Sequence, residues 1–273
     1  MSSHDALRYQ VDGDRGRTVL MVPGLSATAA FLAPTAAALA RDHRVVVVPL
    51  PGHGVPLAGP ATVKQAAEDV AAVVRELSLR QVTLLGWSLG ATVCYEYLDR
   101  FGPDGVTGLV SVEQTPRLTL APDWPHAAFG GLDEAAVPQL VRSALDDPAA
   151  FAADLVGGSF AYGAEPDPLL LASLVAEAQR CDPVAVGGLL ADALGQDRRE
   201  RMGRITVPTL LVHGAGSQVY PTPVGQWLAT AMPAARLELF EHSGHLPFVE
   251  EEPKFTTAVR DFVAATGRST DRD

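Results

Sequence analysis

Short runs of β-branched residues alternate along the chain with longer segments whose apolar residues recur at helical spacing. The continuous run Arg44–Pro49 is typical of a strand that is buried on both faces of a sheet. Thr62–Leu79 is the clearest helix, because Thr62 can cap it and apolar residues recur every three or four positions from Val63 onward. This alternation predicts a parallel sheet that is covered by helices.

The remaining elements follow the same rhythm except in one long stretch. From about Pro116 to Arg204 the chain is rich in Pro, Gly and Asp, its apolar groups recur at helical spacing, and no segment has a convincing strand pattern. This stretch predicts a helical insertion between two strands of the sheet. Further strands are predicted at Thr18–Val22, Gln81–Leu85, Val106–Val112, Val207–His213 and Arg236–Phe240, and further helices at Thr28–Ala40, Leu89–Arg100, Thr222–Ala231 and Pro253–Ala265.

Composition excludes several classes of protein. The chain has 273 residues, 47% of them apolar, which excludes intrinsic disorder, and its net charge of −11 disfavours nucleic acid or an anionic membrane as a partner. Its two cysteines, Cys94 and Cys181, support neither a disulfide scaffold nor a cysteine zinc site. No apolar run is long enough to span a membrane, and the polar start predicts no signal peptide. We therefore expect a cytoplasmic globular protein.

The segment Gly86-Trp87-Ser88-Leu89-Gly90 matches the pattern G-x-S-x-G and lies between a predicted strand and a predicted helix. In such a sharp turn the two glycines avoid clashes, and the serine hydroxyl is presented at the carboxyl end of the strand. The following helix N-terminus favours a developing negative charge. The pattern predicts that Ser88 is a nucleophile.

A histidine-containing loop, Glu241–Phe248, follows the last predicted strand. A histidine on such a loop can reach the nucleophile and act as its general base. We favour His245 over His242, because Gly244 frees the backbone beside it and Leu246-Pro247 can anchor the loop.

These segments resemble the α/β-hydrolase superfamily over essentially the whole chain. The resemblance implies an α/β-hydrolase fold: a mostly parallel eight-stranded sheet flanked by helices, with a helical cap inserted after strand 6. It assigns residues 1–115 and 205–273 to the core and 116–204 to the cap. The likeness is carried by Val22–Leu25, Leu50–Gly54, Gly86–Gly90 and Ser243–Pro253.

The resemblance also implies a Ser–His–acid triad that acts on an acyl compound without a metal or another cofactor. The oxyanion hole would be formed by the backbone N–H groups of Leu25 and Leu89. Pro23 stands where family members often have histidine. The donor is the backbone N–H of Leu25, the residue after the glycine, so this departure does not remove it.

The acid departs further from the family pattern. Most relatives have an aspartate three residues after the glycine that ends the penultimate strand, and this chain has Ser217 there. Some branches supply the acid from the end of strand 6, where this chain has Glu113, one helix and one strand beyond Ser88. A carboxylate there could hold the Nδ1–H of the histidine. Two alternatives stay open: no functional acid, or a cap carboxylate such as Asp123 or Asp133.

Together these residues predict a serine hydrolase or acyl transferase for a small-molecule ester, lactone or thioester. Four aromatic residues are candidates for the apolar substrate pocket: Trp87, Trp124, Phe129 and Phe160. Two other functions remain possible: cofactor-free chemistry in which a His–acid pair does the work, and ligand binding without catalysis. The oligomeric state and the substrate are not predicted.

Overall fold

The computed structural model describes residues 9–267. The first residues of the polar start, on which the prediction of no signal peptide rests, lie outside this range, as do both ends of the predicted core (1–8 and 268–273). Among the described residues, no helix combines the length and apolar character needed to cross a bilayer.

One seven-stranded sheet forms the centre of the molecule, in the order β1-β3-β2-β4-β5-β6-β7. All neighbouring strands are parallel except β1 and β3, which are antiparallel. The six predicted strands are all present, with ends shifted by up to two residues. The strands are β1 (Gln10–Asp12), β2 (Thr18–Val22), β3 (Arg44–Val47), β4 (Val82–Trp87), β5 (Val106–Val112), β6 (Thr209–Gly214) and β7 (Ala235–Phe240).

The strand count differs from the eight that the resemblance implied. Within residues 9–267 only one strand, β1, precedes β2, so the helical insertion follows the fifth strand here and not the sixth. After the three residues of β1 the chain turns at Gly13 and Gly16, where a Cβ would collide with the backbone of residues 40–43. The pattern did not reveal β1 because its three residues are all exposed.

Helices cover both faces of the sheet, as the alternating pattern predicted. The clearest predicted helix begins as expected, with Thr62 accepting a hydrogen bond from the Gln65 N–H, and ends at Glu76. The helices are α1 (Ala33–Leu39), α2 (Val63–Glu76), α3 (Leu89–Phe101), α4 (Val137–Asp146), α5 (Pro148–Gly157), α6 (Pro168–Ala178), α7 (Pro183–Leu194), α8 (Pro223–Ala231), α9 (Pro247–Glu250) and α10 (Glu252–Gly267), with 3-10 turns at Ala29–Leu32, Ala128–Gly130 and Arg199–Arg204.

Alternate residues of the central strands pack in two separate apolar layers, as the period of two requires. In β2, Leu20 and Val22 pack in the layer that contains α2 and α3, whereas Val19 and Met21 pack in the layer that contains α1 and α10. Burial on both faces explains why the central strands are continuous apolar runs.

The segment between β5 and β6 contains α4 to α7, in agreement with the predicted helical insertion. Polar contacts at several places attach it to the rest of the molecule, including the following three. Arg198 and Glu96 form a buried ion pair at 2.6 Å, Thr28 donates a hydrogen bond to Glu177 at 2.6 Å, and the Val63 N–H donates one to Asp192 at 2.8 Å. Because these contacts involve α3, the loop after β2 and the start of α2, they hold the insertion over the carboxyl ends of the strands.

Candidate active site

Ser88 occupies a strained turn between β4 and α3. Its φ of 52° lies in the left-handed region, and its N–H donates a hydrogen bond to the Val112 carbonyl at 2.8 Å. A non-glycine residue with this φ costs energy and is found where function demands it. The turn places the Ser88 side chain at the carboxyl edge of the sheet, as the motif predicted.

Gly90 allows this turn to pack against β2. A Cβ at position 90 would lie 2.1 Å from the Val22 carbonyl oxygen and 2.6 Å from that of Pro23. We expect Gly90→Ala to lower the free energy of unfolding by about 1–3 kcal/mol, because β2 must shift to relieve the overlap. Urea denaturation monitored by circular dichroism measures this change.

The matched control is Gly157→Ala on α5, where an added Cβ meets nothing within 4 Å. That substitution is expected to leave stability unchanged or to raise it by up to about 1 kcal/mol, because alanine is the better helix former. Equal unfolding free energies for the two variants would contradict the steric role of Gly90.

The loop after β2 lies directly against Ser88. A Cβ at Gly24 would lie 3.1 Å from Ser88 Cβ and 3.1 Å from the Trp87 ring, so only a residue as small as glycine gives this approach. Within residues 9–267, the backbone N–H groups of Leu25 and Leu89 donate no hydrogen bond, and both residues line the same cavity as Ser88. Two free donors beside a nucleophile are what an oxyanion hole requires.

His245 lies on the loop after β7 and is held on several sides. Its N–H donates to the Ser159 carbonyl at 2.7 Å, and Trp87 Nε1 donates to its carbonyl at 2.8 Å. The rings of Trp87 and Tyr220 pack against the imidazole at centroid distances of 5.5 and 5.4 Å. His242, by contrast, is exposed. The structure therefore brings His245 and not His242 to the cavity that contains Ser88.

Glu113 follows the end of β5 and is completely buried. Its Oε2 lies 2.8 Å from His245 Nδ1 and accepts a hydrogen bond from Ser217 Oγ at 2.7 Å, while Oε1 accepts one from the Gly214 N–H at 2.9 Å. Three partners on a buried carboxylate stabilise its charged form. Glu113 is thus in hydrogen-bond contact with His245.

The charge of Glu113 is maintained in spite of its burial. Burial by itself raises the pKa of this carboxyl group. The imidazoles of His213 and His245 lower the pKa by more than burial raises it, to about 2. A carboxylate that is ionised at neutral pH can hold the Nδ1–H of His245 and leave Nε2 free to accept a proton.

Ser217, in the family's usual aspartate position, donates a hydrogen bond to Glu113. Its hydroxyl oxygen also accepts hydrogen bonds from the N–H groups of Val219 and Tyr220, at 3.3 and 3.2 Å. The alternative carboxylates are occupied elsewhere: Asp123 pairs with Arg199 at 3.0 Å, and Asp133 accepts from the Ala136 N–H at 2.8 Å. Neither lines the cavity of Ser88.

The predicted pocket aromatics divide into two pairs. Trp87 and Phe129 line the cavity, whereas Trp124 and Phe160 do not. Trp124 is buried between Trp227 and His126, and its Nε1 donates to the Arg117 carbonyl at 3.0 Å. Phe160 packs within the apolar layer of α10, and its backbone lies against Gly244. Both side chains are used for packing, so the prediction that they line the pocket is corrected.

Tyr220 is one of the residues at this cavity that the sequence analysis missed. It is buried, and it lies three residues beyond Ser217 on the loop after β6. The available signal was its location: this loop starts at the same sheet edge as the turn at Ser88, so a large side chain on it can reach the nucleophile.

Several known proteins are similar to this chain in sequence or in fold. The model of the alpha/beta hydrolase family matches residues 19–259. A pimeloyl-[acyl-carrier protein] methyl ester esterase of Neisseria meningitidis serogroup C is 32% identical over 221 residues, which cover 80% of this chain and 82% of the relative. The protein of the same name from Chromobacterium violaceum is 31% identical over 249 residues, or 90% and 93% of the two chains. An esterase from Exiguobacterium antarcticum has a TM-score of 0.87 at 25% identity, over 94% of each chain.

Proposed function

The chain belongs to the alpha/beta hydrolase family, and we propose that it hydrolyses a carboxylic ester through Ser88, His245 and Glu113. The observation that carries the proposal is the 2.8 Å contact between Glu113 Oε2 and His245 Nδ1 at the cavity that contains Ser88. In this proposal Ser88 is the nucleophile, His245 the base and Glu113 the orienting acid of a triad.

In the proposed reaction, Ser88 Oγ attacks the ester carbonyl carbon while its proton passes to His245 Nε2. The negative charge that forms on the carbonyl oxygen lies between the N–H groups of Leu25 and Leu89. His245 then protonates the alcohol as it leaves, and the acyl group remains on Ser88. Water, deprotonated by His245, attacks this acyl-enzyme; the bond from the acyl carbon to Ser88 Oγ breaks, Oγ takes the proton back from His245, and the acid is released. Glu113 stabilises the imidazolium in both halves of the reaction.

Two observations support an ester as the substrate. The two curated relatives are named for cleaving a methyl ester of an acyl chain. Among residues 9–267, the lining of the cavity contains no Asp, Glu, Lys or Arg side chain, and it is predominantly apolar. A charged substrate would lose its hydration there without a compensating partner, so a neutral small-molecule ester fits the site.

A second apolar cavity extends the site into the helical insertion. The cavity of Ser88 is lined by Val156 on α5 and Leu190 on α7, and the second cavity is lined by Ala152 and Val186, one turn away on the same helices. Ser26 lines both. One helical turn is about 5.4 Å, so the two cavities follow each other between α5 and α7. We propose that the second cavity takes the apolar chain of a longer substrate.

Filling the second cavity should discriminate between short and long esters. Ala152→Phe is expected to leave turnover of p-nitrophenyl acetate within about twofold and to reduce kcat/KM for the decanoate by about 10- to 50-fold, since each displaced methylene loses roughly 0.8 kcal/mol of burial. Steady-state kinetics over a chain-length series measures this. Ala153→Phe, on the same helix but in the lining of neither cavity, is the control. An equal loss on both esters would contradict the proposed path of the chain.

The proposed function is tested most directly by intact-mass labelling with a fluorophosphonate. The expected result is one adduct per chain, which requires an activated serine. Failure of the wild-type protein to react would direct attention to chemistry centred on His245 or to ligand binding.

A further inference from the structure

Ser26 is a buried polar residue of the loop after β2 for which the proposed reaction has no task. It is 3% exposed, and among residues 9–267 it alone lines both the cavity of Ser88 and the second cavity. Its hydroxyl group makes no hydrogen bond with the part of the chain that the structure describes. Neighbouring atoms do not enclose its oxygen, in contrast to the unpaired Nε2 of His53. A free hydroxyl group is therefore available where the two cavities meet.

The backbone at Ser26 is strained. Its φ is 53°, which lies in the left-handed region that glycine adopts readily and serine adopts only at a cost in free energy. A hydroxyl group without a protein partner does nothing to offset this cost. Strained residues other than glycine are concentrated at functional sites, so the partner of this hydroxyl group is expected in the substrate.

The loop fixes Ser26 relative to the nucleophile. On one side, a Cβ at Gly24 would lie 3.1 Å from Ser88 Cβ, so the backbone there is in close contact with the Ser88 side chain. On the other side, Thr28 donates a hydrogen bond to Glu177 on α6 at 2.6 Å. Because the loop is anchored on both sides, the hydroxyl group is in place before a substrate binds, and a preorganised donor loses less entropy on binding.

We propose that Ser26 donates a hydrogen bond to an oxygen atom on carbon 3 of the acyl group, so that the preferred substrates are esters of 3-hydroxy or 3-oxo acids. In the proposed reaction the ester carbonyl oxygen lies at the Leu25 N–H, and Ser26 is the next residue. An oxygen atom on carbon 3 is three bonds from the carbonyl carbon, a span of about the 3.8 Å that separates consecutive Cα atoms. The inference rests on the proposed function and names its substrate class.

The surroundings of Ser26 suit such an acyl group. Beyond carbon 3 the chain is apolar and would enter the second cavity, whose lining contains no Asp, Glu, Lys or Arg side chain among residues 9–267. A small number of polar groups in an otherwise apolar pocket usually fixes the orientation of a ligand and provides specificity. An ester of a plain alkanoic acid would leave the Ser26 hydroxyl group without water and without a partner, which costs free energy.

Selectivity between esters that differ by one oxygen atom tests the proposal. The measured quantity is kcat/KM for methyl 3-hydroxyoctanoate divided by kcat/KM for methyl octanoate, with acid release followed by titration. We expect this ratio to fall by about 3- to 10-fold in Ser26→Ala, because the variant loses one neutral hydrogen bond. Methyl 3-oxooctanoate should show a similar fall, since its keto oxygen accepts the same hydrogen bond. Comparison of variant with wild type cancels the different intrinsic reactivities of the esters.

A second variant and two controls accompany this test. Ser26→Gly also removes the hydroxyl group and suits the left-handed φ, so it should fold and show the same fall. Ser159→Ala should keep the wild-type ratio, because this serine lines only the cavity of Ser88 and donates its hydroxyl to the Leu155 carbonyl at 2.7 Å. With methyl 7-hydroxyoctanoate in place of the 3-hydroxy ester, the ratio should stay constant in both Ser26 variants, because that hydroxyl group lies at the far end of the chain.

Two results would overturn the inference. The first is a wild-type ratio in both Ser26 variants; if both rates fell equally, the hydroxyl group would serve the reacting carbonyl instead. The second is an equal fall with the 7-hydroxy ester, which would show that Ser26 does not distinguish carbon 3. Both leave the proposed function intact, since the wild-type protein still hydrolyses methyl octanoate. A wild-type protein that hydrolyses none of these esters and takes up no fluorophosphonate would contradict the proposed function, and the substrate class would fall with it.

Discussion

Ser88→Ala is expected to reduce hydrolysis of p-nitrophenyl butyrate by about 10⁴- to 10⁶-fold and to abolish fluorophosphonate labelling. The reason is that the acyl-enzyme cannot form without Oγ. The remaining groups can still bind the ester and polarise its carbonyl, so a small residual rate above that of water is expected. Initial rates and intact-mass spectra of the two proteins measure both effects.

Ser159→Ala is the matched control, because this serine lines the same cavity but donates its hydroxyl to the Leu155 carbonyl at 2.7 Å. We expect it to keep most of the activity and the complete label. We expect both variants to fold, because the surrounding turn imposes the strained φ at position 88 and alanine differs from serine only by the missing hydroxyl group. Substantial turnover by Ser88→Ala would show that the nucleophile is dispensable and would favour chemistry that uses His245 and Glu113 alone.

Periodicity and motif spacing predicted the sheet and the positions of Ser88 and His245 well. Each of these two residues follows a strand whose continuous or alternating apolar pattern is unmistakable, and all carboxyl ends of parallel strands meet at one edge. The same argument placed Glu113 at that edge. The contact at 2.8 Å depends in addition on the φ of +47° at Glu113, which turns the chain back toward His245. No pattern of residues in the sequence predicts such a backbone angle.

The pocket aromatics show where sequence reasoning ends. Phe129 lines the cavity and Trp124 does not, although both lie in the helical insertion and both are large and apolar. The difference arises from tertiary packing: Arg199 lies over the Trp124 ring at 5.5 Å, and Trp227 closes its other side. These partners are 75 and 103 residues away along the chain, so only the folded arrangement could assign Trp124 to packing.

Glu113→Ala is expected to lower kcat/KM by about 10²- to 10⁴-fold, because His245 loses both its preferred tautomer and the charge that stabilises its protonated form. Circular dichroism and thermal unfolding confirm that the variant is folded. Near-native turnover would contradict the proposed role of Glu113 as the acid and would favour a site that works without an orienting acid.

Moving the acid back to the family's usual position provides the sharper test. Ser217 Oγ lies 2.7 Å from Glu113 Oε2, the atom that contacts His245. An aspartate at 217 can therefore place a carboxylate near the imidazole once the glutamate side chain is removed. We expect kcat/KM of the double variant Glu113→Ala, Ser217→Asp to be at least about tenfold higher than that of Glu113→Ala. Ser217→Asp alone should be impaired, because two buried carboxylates in contact cannot both remain ionised.

Ser217→Asn in the Glu113→Ala background is the control for this rescue, because asparagine matches the shape of aspartate and lacks its charge. Recovery by aspartate alone would show that the site needs a carboxylate against Nδ1 and tolerates it after either of two strands. Recovery by both residues would mean that orientation of the imidazole is sufficient. Recovery by neither would tie the function of the acid to the particular geometry at Glu113, where the Gly214 N–H and the Ser217 hydroxyl hold the carboxylate in place.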